Sequence, residues 1–349
     1  MLDTTNVYIV LVNYKGWQET IECLESLFKL AYPHFKVVVV DNGSQDSSID
    51  QLKRWADGTL PLPNINTSFY TKTSLDASYV KKPVPYNLVA DTEASGPAAY
   101  EHRLLFIPAP TNIGFAGGNN LGIKLALAQG ADYIWLLNND TVVSKDSLLN
   151  LVEYFEKAKL NKEPLGILGA KLVYYHNPNL VQAILGRYNP FLGTTAHVGL
   201  NCDACTSFAD LEIRRNDYIV GASMFVSAEF VQNVGLMSEE YFLYFEEIDW
   251  VKRGEEKGYQ IGVCHKAVVY HKEGAAIGGG MKDNSNKSEL SDFYSIRNRL
   301  LVTKKFYRKY LLPVYLSLIF VAINRIRRKQ YDRLSLIYKA LKSSFRKTT

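Results

Sequence analysis

Cysteine is scarce. Only Cys23, Cys202, Cys205 and Cys264 occur among 349 residues, too few and too scattered for a disulfide framework, which fits a reducing cytosol. Cys202-Asp203-Ala204-Cys205 has the spacing of half a zinc site or of a redox pair, but no second pair exists to complete it. A basic leader is also missing: the first strand candidate, Val7 to Val12, begins almost at once, so no signal peptide is expected. No internal repeat is present. The uncharged, mostly apolar run near the C-terminus, Tyr310 to Asn324, has fifteen residues, short of the roughly 20 that span a bilayer. The interleaved basic and aromatic residues of nucleic-acid modules are absent as well, which argues against nucleic acid as a partner.

Charge is present but unevenly placed. The chain carries a net +5, yet from Arg297 onward there are 15 Lys/Arg and one acid, Asp332, so the remainder is net −9. Such asymmetry points the C-terminal segment toward a polyanionic surface. Tyr310–Asn324 is flanked by Arg308-Lys309 and by Arg325 through Lys329. A second stripe, Leu334, Ile337, Leu341 and Phe345, is bordered by Arg333, Lys339, Lys342 and Arg346. This is the pattern of basic amphipathic helices lying on an anionic membrane; a helical pair docked on the protein's own body has the same periodicity.

The first 170 residues alternate strand and helix. Strands are expected at Val7–Val12, Lys36–Val40, Leu104–Ile107 and Tyr133–Leu137. Helices are expected at Trp17–Leu30, Ile49–Trp55, Asn119–Gln129 and Asp146–Lys159, the last with Ser144 as N-cap. Such alternation implies an α/β fold with a mostly parallel sheet and helices on both faces. Gly58 to Arg103, with five prolines, interrupts it and reads as an insertion, partly hairpin or loop. Asp217 to Val226 reads as a strand interrupted at Gly221-Ala222-Ser223.

Chemistry-bearing residues gather where these strands end. Tyr133–Leu137 stops in Asn138-Asn139-Asp140, and ligands of open α/β sheets bind beyond the carboxyl ends of strands. An acid there, followed by Thr141, can hold a hard cation against a phosphorylated ligand. Asp41 ends the second strand and can accept hydrogen bonds from a nucleoside. Thr111-Asn112-Ile113-Gly114-Phe115-Ala116-Gly117-Gly118-Asn119-Asn120 has glycines that permit close backbone approach ahead of a helix N-terminus. Tyr241 through Trp250 sets Glu246, Glu247 and Asp249 behind an aromatic run. A carboxylate against those rings would be desolvated, raising its pKa toward a value useful for proton abstraction. Asp249 has Arg253 four residues on, an intrahelical ion pair in the plainer reading. His271 ends a further apolar strand, Val268–His271; imidazole suits Mn²⁺ better than Mg²⁺.

Together these stretches resemble glycosyltransferase family 2, in its rhamnosyltransferase-like branch. The matching residues are Val10–Tyr14, Val40–Ser44, Asn112–Asn120, Leu136–Asp140, Gly221–Ser223, Tyr241–Arg253, His271 and Arg297-Asn298. The resemblance implies a GT-A catalytic domain over 1–296, with the insertion at about 58–103, and a basic helical tail over 297–349. It implies an inverting, metal-dependent transfer from a nucleotide sugar, dTDP- or UDP-linked, to a glycan or polyprenyl-linked acceptor in bacterial surface polysaccharide synthesis. The enzyme would work in the cytoplasm, peripheral on the inner face of the membrane. Residue by residue, Glu247 would be the base, with Glu246 and Asp249 as alternatives. Asp140 would ligate Mn²⁺ or Mg²⁺ as the last acid of a DXD motif, with His271 completing the shell. Asn13, Tyr14, Asp41, Gly114, Asn119, Asn120, Asn139 and Arg297 would bind the donor. Asn138-Asn139 stand where such a motif can place further carboxylates. A nucleotidyltransferase, or a non-catalytic nucleotide-sugar-binding protein at the membrane surface, are the rival readings.

Overall fold

The computed structural model describes residues 5–61, 66–90, 100–272 and 288–345. Along the chain, β1 (Val7–Asn13), α1 (Trp17–Leu27), β2 (Phe35–Asn42) and α2 (Ser48–Asp57) are followed by α3 (Thr67–Thr73), β3 (Tyr86–Leu88), β4 (Leu104–Ala109) and α4 (Gly114–Ala128). Then come β5 (Tyr133–Asn138), β6 (Thr141–Val143), α5 (Ser147–Leu160), β7 (Leu165–Tyr174) and β8 (Val181–Ala183). A side sheet is built from β9 (Leu185–Asn189), β10 (Thr194–Val198) and β11 (Asp217–Tyr218). The chain returns through β12 (Ser223–Ser227), α6 (Ala228–Val234), α7 (Glu246–Glu256) and β13 (Gln260–His271), and ends in α8 (Glu289–Phe306), α9 (Leu311–Arg327) and α10 (Leu334–Phe345).

Among the described residues the main sheet runs β3-β4-β2-β1-β5-β12-β7-β13-β6, with β8 added beside β7. Pairing is parallel from β3 through β5 and between β7 and β13. β12 runs antiparallel between β5 and β7, and β6 antiparallel to β13. The fold is therefore α/β with a mostly parallel sheet. Its central strands are apolar on both faces because both are covered. Ile9, Leu11, Val37 and Val39 pack toward Leu24, Trp55 and Phe155 of α1, α2 and α5. Their neighbours Tyr8, Val10, Val38 and Val40 pack with Ile123 of α4 and Trp250 of α7.

The insertion supplies a short helix and an edge strand, not a hairpin: β3 lies parallel to β4, and α3 stacks Phe69 on Tyr175 at 4.0 Å. The parts of the insertion at 62–65 and 91–99 lie outside the described residues, as does Arg346 of the tail. Two helix starts differ from the periodicity. α5 begins at Ser147 with Asp146 as its cap residue, and Ser144 contributes its carbonyl to Ser147 N–H rather than a side-chain cap. α4 begins at Gly114, five residues early, because its small residues lie against strand side chains and not in a loop. Among them, a Cβ at Gly118 would stand 2.8 Å from Val12 Cγ1. Glycine here lets the helix seat directly on β1.

Candidate active site

Three parallel strand ends meet at one edge of the sheet. Asn13 is in register with Asp41, and Val12 with Asn138. The buried Asp41 carboxylate accepts from Asn13 Nδ2 at 2.7 Å and from Ser44 Oγ at 2.5 Å, which orients it without a cation. Asn13 Oδ1 in turn accepts from Thr20 Oγ1, and Asn139 Nδ2 donates to the same Thr20 oxygen at 2.9 Å. Tyr14, half-buried, begins the turn after β1.

Asp140 sits in the tight link between β5 and β6. The β6–β13 pairing brings His271 beside it, so that Asp140 Oδ1 and His271 Nε2 are 3.2 Å apart. His271 Nδ1 faces Gln182 Oε1 of β8 at 2.9 Å. Burial acts to raise the Asp140 pKa, but the charge and hydrogen bond of His271, with Lys272 behind, hold it net below the ordinary carboxylate range. A hard carboxylate oxygen and an imidazole nitrogen, spaced like adjacent ligands around an octahedral ion with bonds of about 2.1 Å, suit a divalent metal of the Mn²⁺ type. No group of three or more His, Cys, Asp or Glu side chains is assembled among the described residues. These two would therefore share the ion with a ligand's oxygens.

The acidic run forms the other side. Phe242, Tyr244 and Phe245 all adopt positive φ (61°, 69° and 73°), a conformation bulky residues avoid, just before α7 begins at Glu246. Two anchors hold this turn. Phe115 N–H donates to the Phe242 carbonyl at 2.7 Å, where Gly114, itself at φ 81°, leaves room that a Cβ would fill. Asn298 of α8 donates to the carbonyls of Tyr241, Leu243 and Tyr244 at 2.7–3.0 Å. Glu247 emerges half-buried at the helix start, and burial pushes its carboxyl up to about 7. Glu246 is buried with no partner for Oε2 among the described residues. Burial first, then the neighbouring Glu247, raises its pKa well above the usual value. Asp249 differs: fully buried, it is bound by Arg253 (2.6 Å), Lys305 (2.5 Å) and Tyr241 Oη (3.0 Å). Both of its carboxylate oxygens are engaged in this packed ion-pair network. The β11–β12 link joins the two sides, since Ala222 O accepts from Asn138 N–H, and Tyr218 lies close enough to feel the Glu247 charge.

Several residues expected at the donor hydrogen-bond to protein groups. Asn120 donates to Met237 O and Glu239 Oε1 and accepts from Met237 N–H; Asn119 donates to Phe115 O. Arg297 donates to Glu240 O and Ser343 Oγ, bracing the acidic turn against α10. Gln182 carries no signal in the sequence, and Ser44 stands there only as the end of the Val40–Ser44 stretch. Gln182 falls in a stretch without periodicity, and Ser44 looks like any turn serine. A cavity of about 910 Å³ lies at the opposite end of the sheet, lined by Asp132, Glu156 and Tyr259 among others, away from every residue above.

Comparison with known proteins matches this layout. The family model described as Glycosyl transferase family 2 matches residues 8–66 and 90–162, which hold Asn13, Asp41, the α4 start and Asp140. Over these residues the chain is similar to glycosyl transferase family 2. The chain is 21% identical over 205 residues to the low-salt glycan biosynthesis hexosyltransferase Agl10 of Haloferax volcanii, a match covering 58% of this chain and 61% of that one. The chain thus spans less than two thirds of that relative's length. It is 26% identical over 239 residues to the galactofuranosyltransferase GlfT1 of Mycolicibacterium smegmatis, covering 65% and 76%. In fold it is similar to the mannosyltransferase PcManGT of Pyrobaculum calidifontis, solved with GDP-Man and Mn²⁺ (TM-score 0.51, 11% identity, 99% and 89% covered). It is also similar to residues 1–349 of S. aureus TarS, solved with UDP-GlcNAc (0.50, 12%, 97% and 80%). The fold is GT-A.

Proposed function

We propose that this protein catalyses an inverting, metal-dependent transfer of a hexose or deoxyhexose from a UDP- or dTDP-linked donor to a hydroxyl of a lipid-linked glycan at the cytoplasmic membrane face. The observation that carries this reading is Glu247, a half-buried carboxyl raised to about 7 at a turn clamped by Asn298. A base poised near neutral pH can take a proton from an acceptor hydroxyl and still be ionised in a large fraction of molecules. Asp41, oriented by Asn13 and Ser44, accepts from the nucleoside. Asp140 and His271 would hold the divalent ion, which when bound offsets charge on the departing nucleoside diphosphate. Burial raises the Glu246 carboxyl well above its usual range, which favours its neutral form beside the base. The hydroxyl attacks the anomeric carbon from the side opposite the diphosphate, so one displacement inverts the configuration without a covalent intermediate.

The basic tail supports a membrane-bound acceptor. By length and composition the 20-residue helical run Arg308–Arg327 could cross a bilayer, longer than the fifteen uncharged residues counted in the sequence. α10, by contrast, is docked: Ile337 and Ala340 are buried against Ile296 and Leu300 of α8. The test is transfer from UDP- and dTDP-sugars with Mn²⁺, product anomer assigned by NMR. Inversion, with loss of turnover in Glu247→Gln but retained donor binding, supports the reading; wild-type turnover in that variant removes Glu247 as base.

A further inference from the structure

α9 is amphipathic in an unusual sense, since both of its sides are apolar but only one is covered. Val314, Ser317 and Leu318 are buried on the body of the protein. The opposite row, Leu312, Leu316, Ile319, Phe320, Ile323 and Ile326, is 44–68% exposed. These positions recur at three- and four-residue steps, so they form one stripe along the helix. Exposed cations stand at both ends, Arg308 and Lys309 before it and Arg327, Arg328 and Lys329 after it.

A second element borders the same helix. The turn between β9 and β10 carries Phe191 (55% exposed) and Leu192 (41%). It is fastened to α9: the Leu192 carbonyl accepts from Arg299 Nη2 of α8 and lies 3.5 Å from Ser317 Oγ, and the Phe191 and Tyr310 rings meet edge-on at 6.2 Å. The turn is pre-shaped by Asn189, whose side chain accepts from Phe191 and Leu192 N–H. Three residues down β9, Tyr188 packs edge-on against Phe245, the residue before Glu246. Tyr188 stands at the end of β9 from which this turn departs, so one strand residue links the turn to the acidic run.

We propose that the β9–β10 turn and the exposed face of α9 form one monotopic docking surface for an anionic lipid bilayer. This deepens the membrane-acceptor reading above and rests on it for the substrate's location. Two features select a bilayer as occupant. The cations at both helix ends match anionic headgroups lying level with a buried apolar stripe. The covered row, hydrogen-bonded through Ser317, keeps α9 on the protein, so the helix lies in the interface and does not cross it. The turn, which belongs to the catalytic domain, then fixes the orientation of that domain. Through Tyr188 and Phe245 it ties the acidic turn to the membrane-facing side.

The experiment is sedimentation of the full chain with vesicles of phosphatidylcholine alone or with about one third phosphatidylglycerol. Three proteins are compared: wild type, Leu316→Glu/Phe320→Glu, and Phe191→Glu/Leu192→Glu. All altered side chains are exposed, and thermal melts verify folding. Wild type should bind the anionic vesicles at least tenfold more tightly than the neutral ones. The α9 variant should lose at least tenfold and the turn variant several-fold, with melting midpoints unchanged. Wild-type binding by the turn variant would remove the turn from the surface. Wild-type binding by the α9 variant, or a dimer in solution that this variant dissociates without any lipid binding, would overturn the proposal. Lipid binding is read without turnover, so a failure of the transfer reaction would leave this surface standing, and the reverse also holds.

Discussion

Asn298 Nδ2 lies 3.0 Å from the carbonyl oxygen of Tyr244, the middle of three positive-φ aromatics that lead into α7, and it reaches two more carbonyls of the same turn. A single amide on α8 thus offsets the cost of a conformation that Phe and Tyr would not hold alone, about 1–3 kcal/mol for each such residue. Because Glu246 and Glu247 start the helix that follows, their placement depends on this amide.

Asn298→Ala should therefore act on both stability and chemistry. Three buried carbonyls lose their donor, and a loss of about 2–4 kcal/mol is expected in urea denaturation. kcat should fall more than donor affinity, since Asp41 and Asp140 lie on strands that do not depend on Asn298.

Glu247 should set the acid limb of the pH profile. A base with a pKa of about 7 is protonated below that value, so kcat rises with pH and reaches half its plateau near 7. Glu247→Gln should lower kcat by about 10²–10⁴ at unchanged donor Kd, measured by calorimetry.

Glu246 should behave as a stability cost. Its folded-state pKa lies above the unfolded one, so its neutral form is favoured by folding. Stability from this group is fully present below the unfolded pKa and is lost as pH rises. Glu246→Gln should raise the melting midpoint at pH 8 by a few degrees, and the gain should vanish at pH 4.

Asp249 should be the opposite. Asp249→Asn leaves Arg253 and Lys305 facing a neutral amide in a buried place, and about 3–5 kcal/mol of stability should go. A stable, folded Asp249→Asn protein with turnover abolished would instead point to Asp249 as the base.

Gln182 should tune the metal site from behind. Its Oε1 lies 2.9 Å from His271 Nδ1 and holds the ring with Nε2 turned toward Asp140, so that with an ion bound Nδ1–H would donate to this amide and leave Nε2 to the metal. Gln182→Leu should weaken Mn²⁺ binding in the presence of UDP by about 10–100-fold, read by electron paramagnetic resonance of the free ion, while UDP binding without metal stays the same.

Much of this was legible in local pattern. The β-branched run Val37–Val40 could only be a strand buried on both faces, and Asn138-Asn139-Asp140 could only be a strand end. The glycines around 114–118 are visible as places where a backbone needs room, but spacing does not show what lies beside them; the fold puts Val12 against Gly118 and Phe242 against Gly114. Asn119, Asn120 and Arg297 were chosen as polar residues in suggestive places, and only their partners reveal that protein groups engage them.

The sequence by itself determined the β/α alternation of the first 170 residues, the mostly parallel sheet and the family resemblance, because those follow from hydrophobic period and from short motifs at strand ends. It also determined that the C-terminal segment is basic and apolar. Tertiary structure alone decided which acid is free. Glu246, Glu247 and Asp249 are equivalent as letters; Asp249 is neutralised by cations from its own helix and from α8, while Glu247 is left half-buried and unpaired by any cation among the described residues. It also joined His271 to Asp140 across 131 positions of chain, through the antiparallel pairing of β6 with β13. The physical reason is common to both. A side chain's charge and reach are local properties, but its desolvation and partners are set by whatever the fold brings beside it.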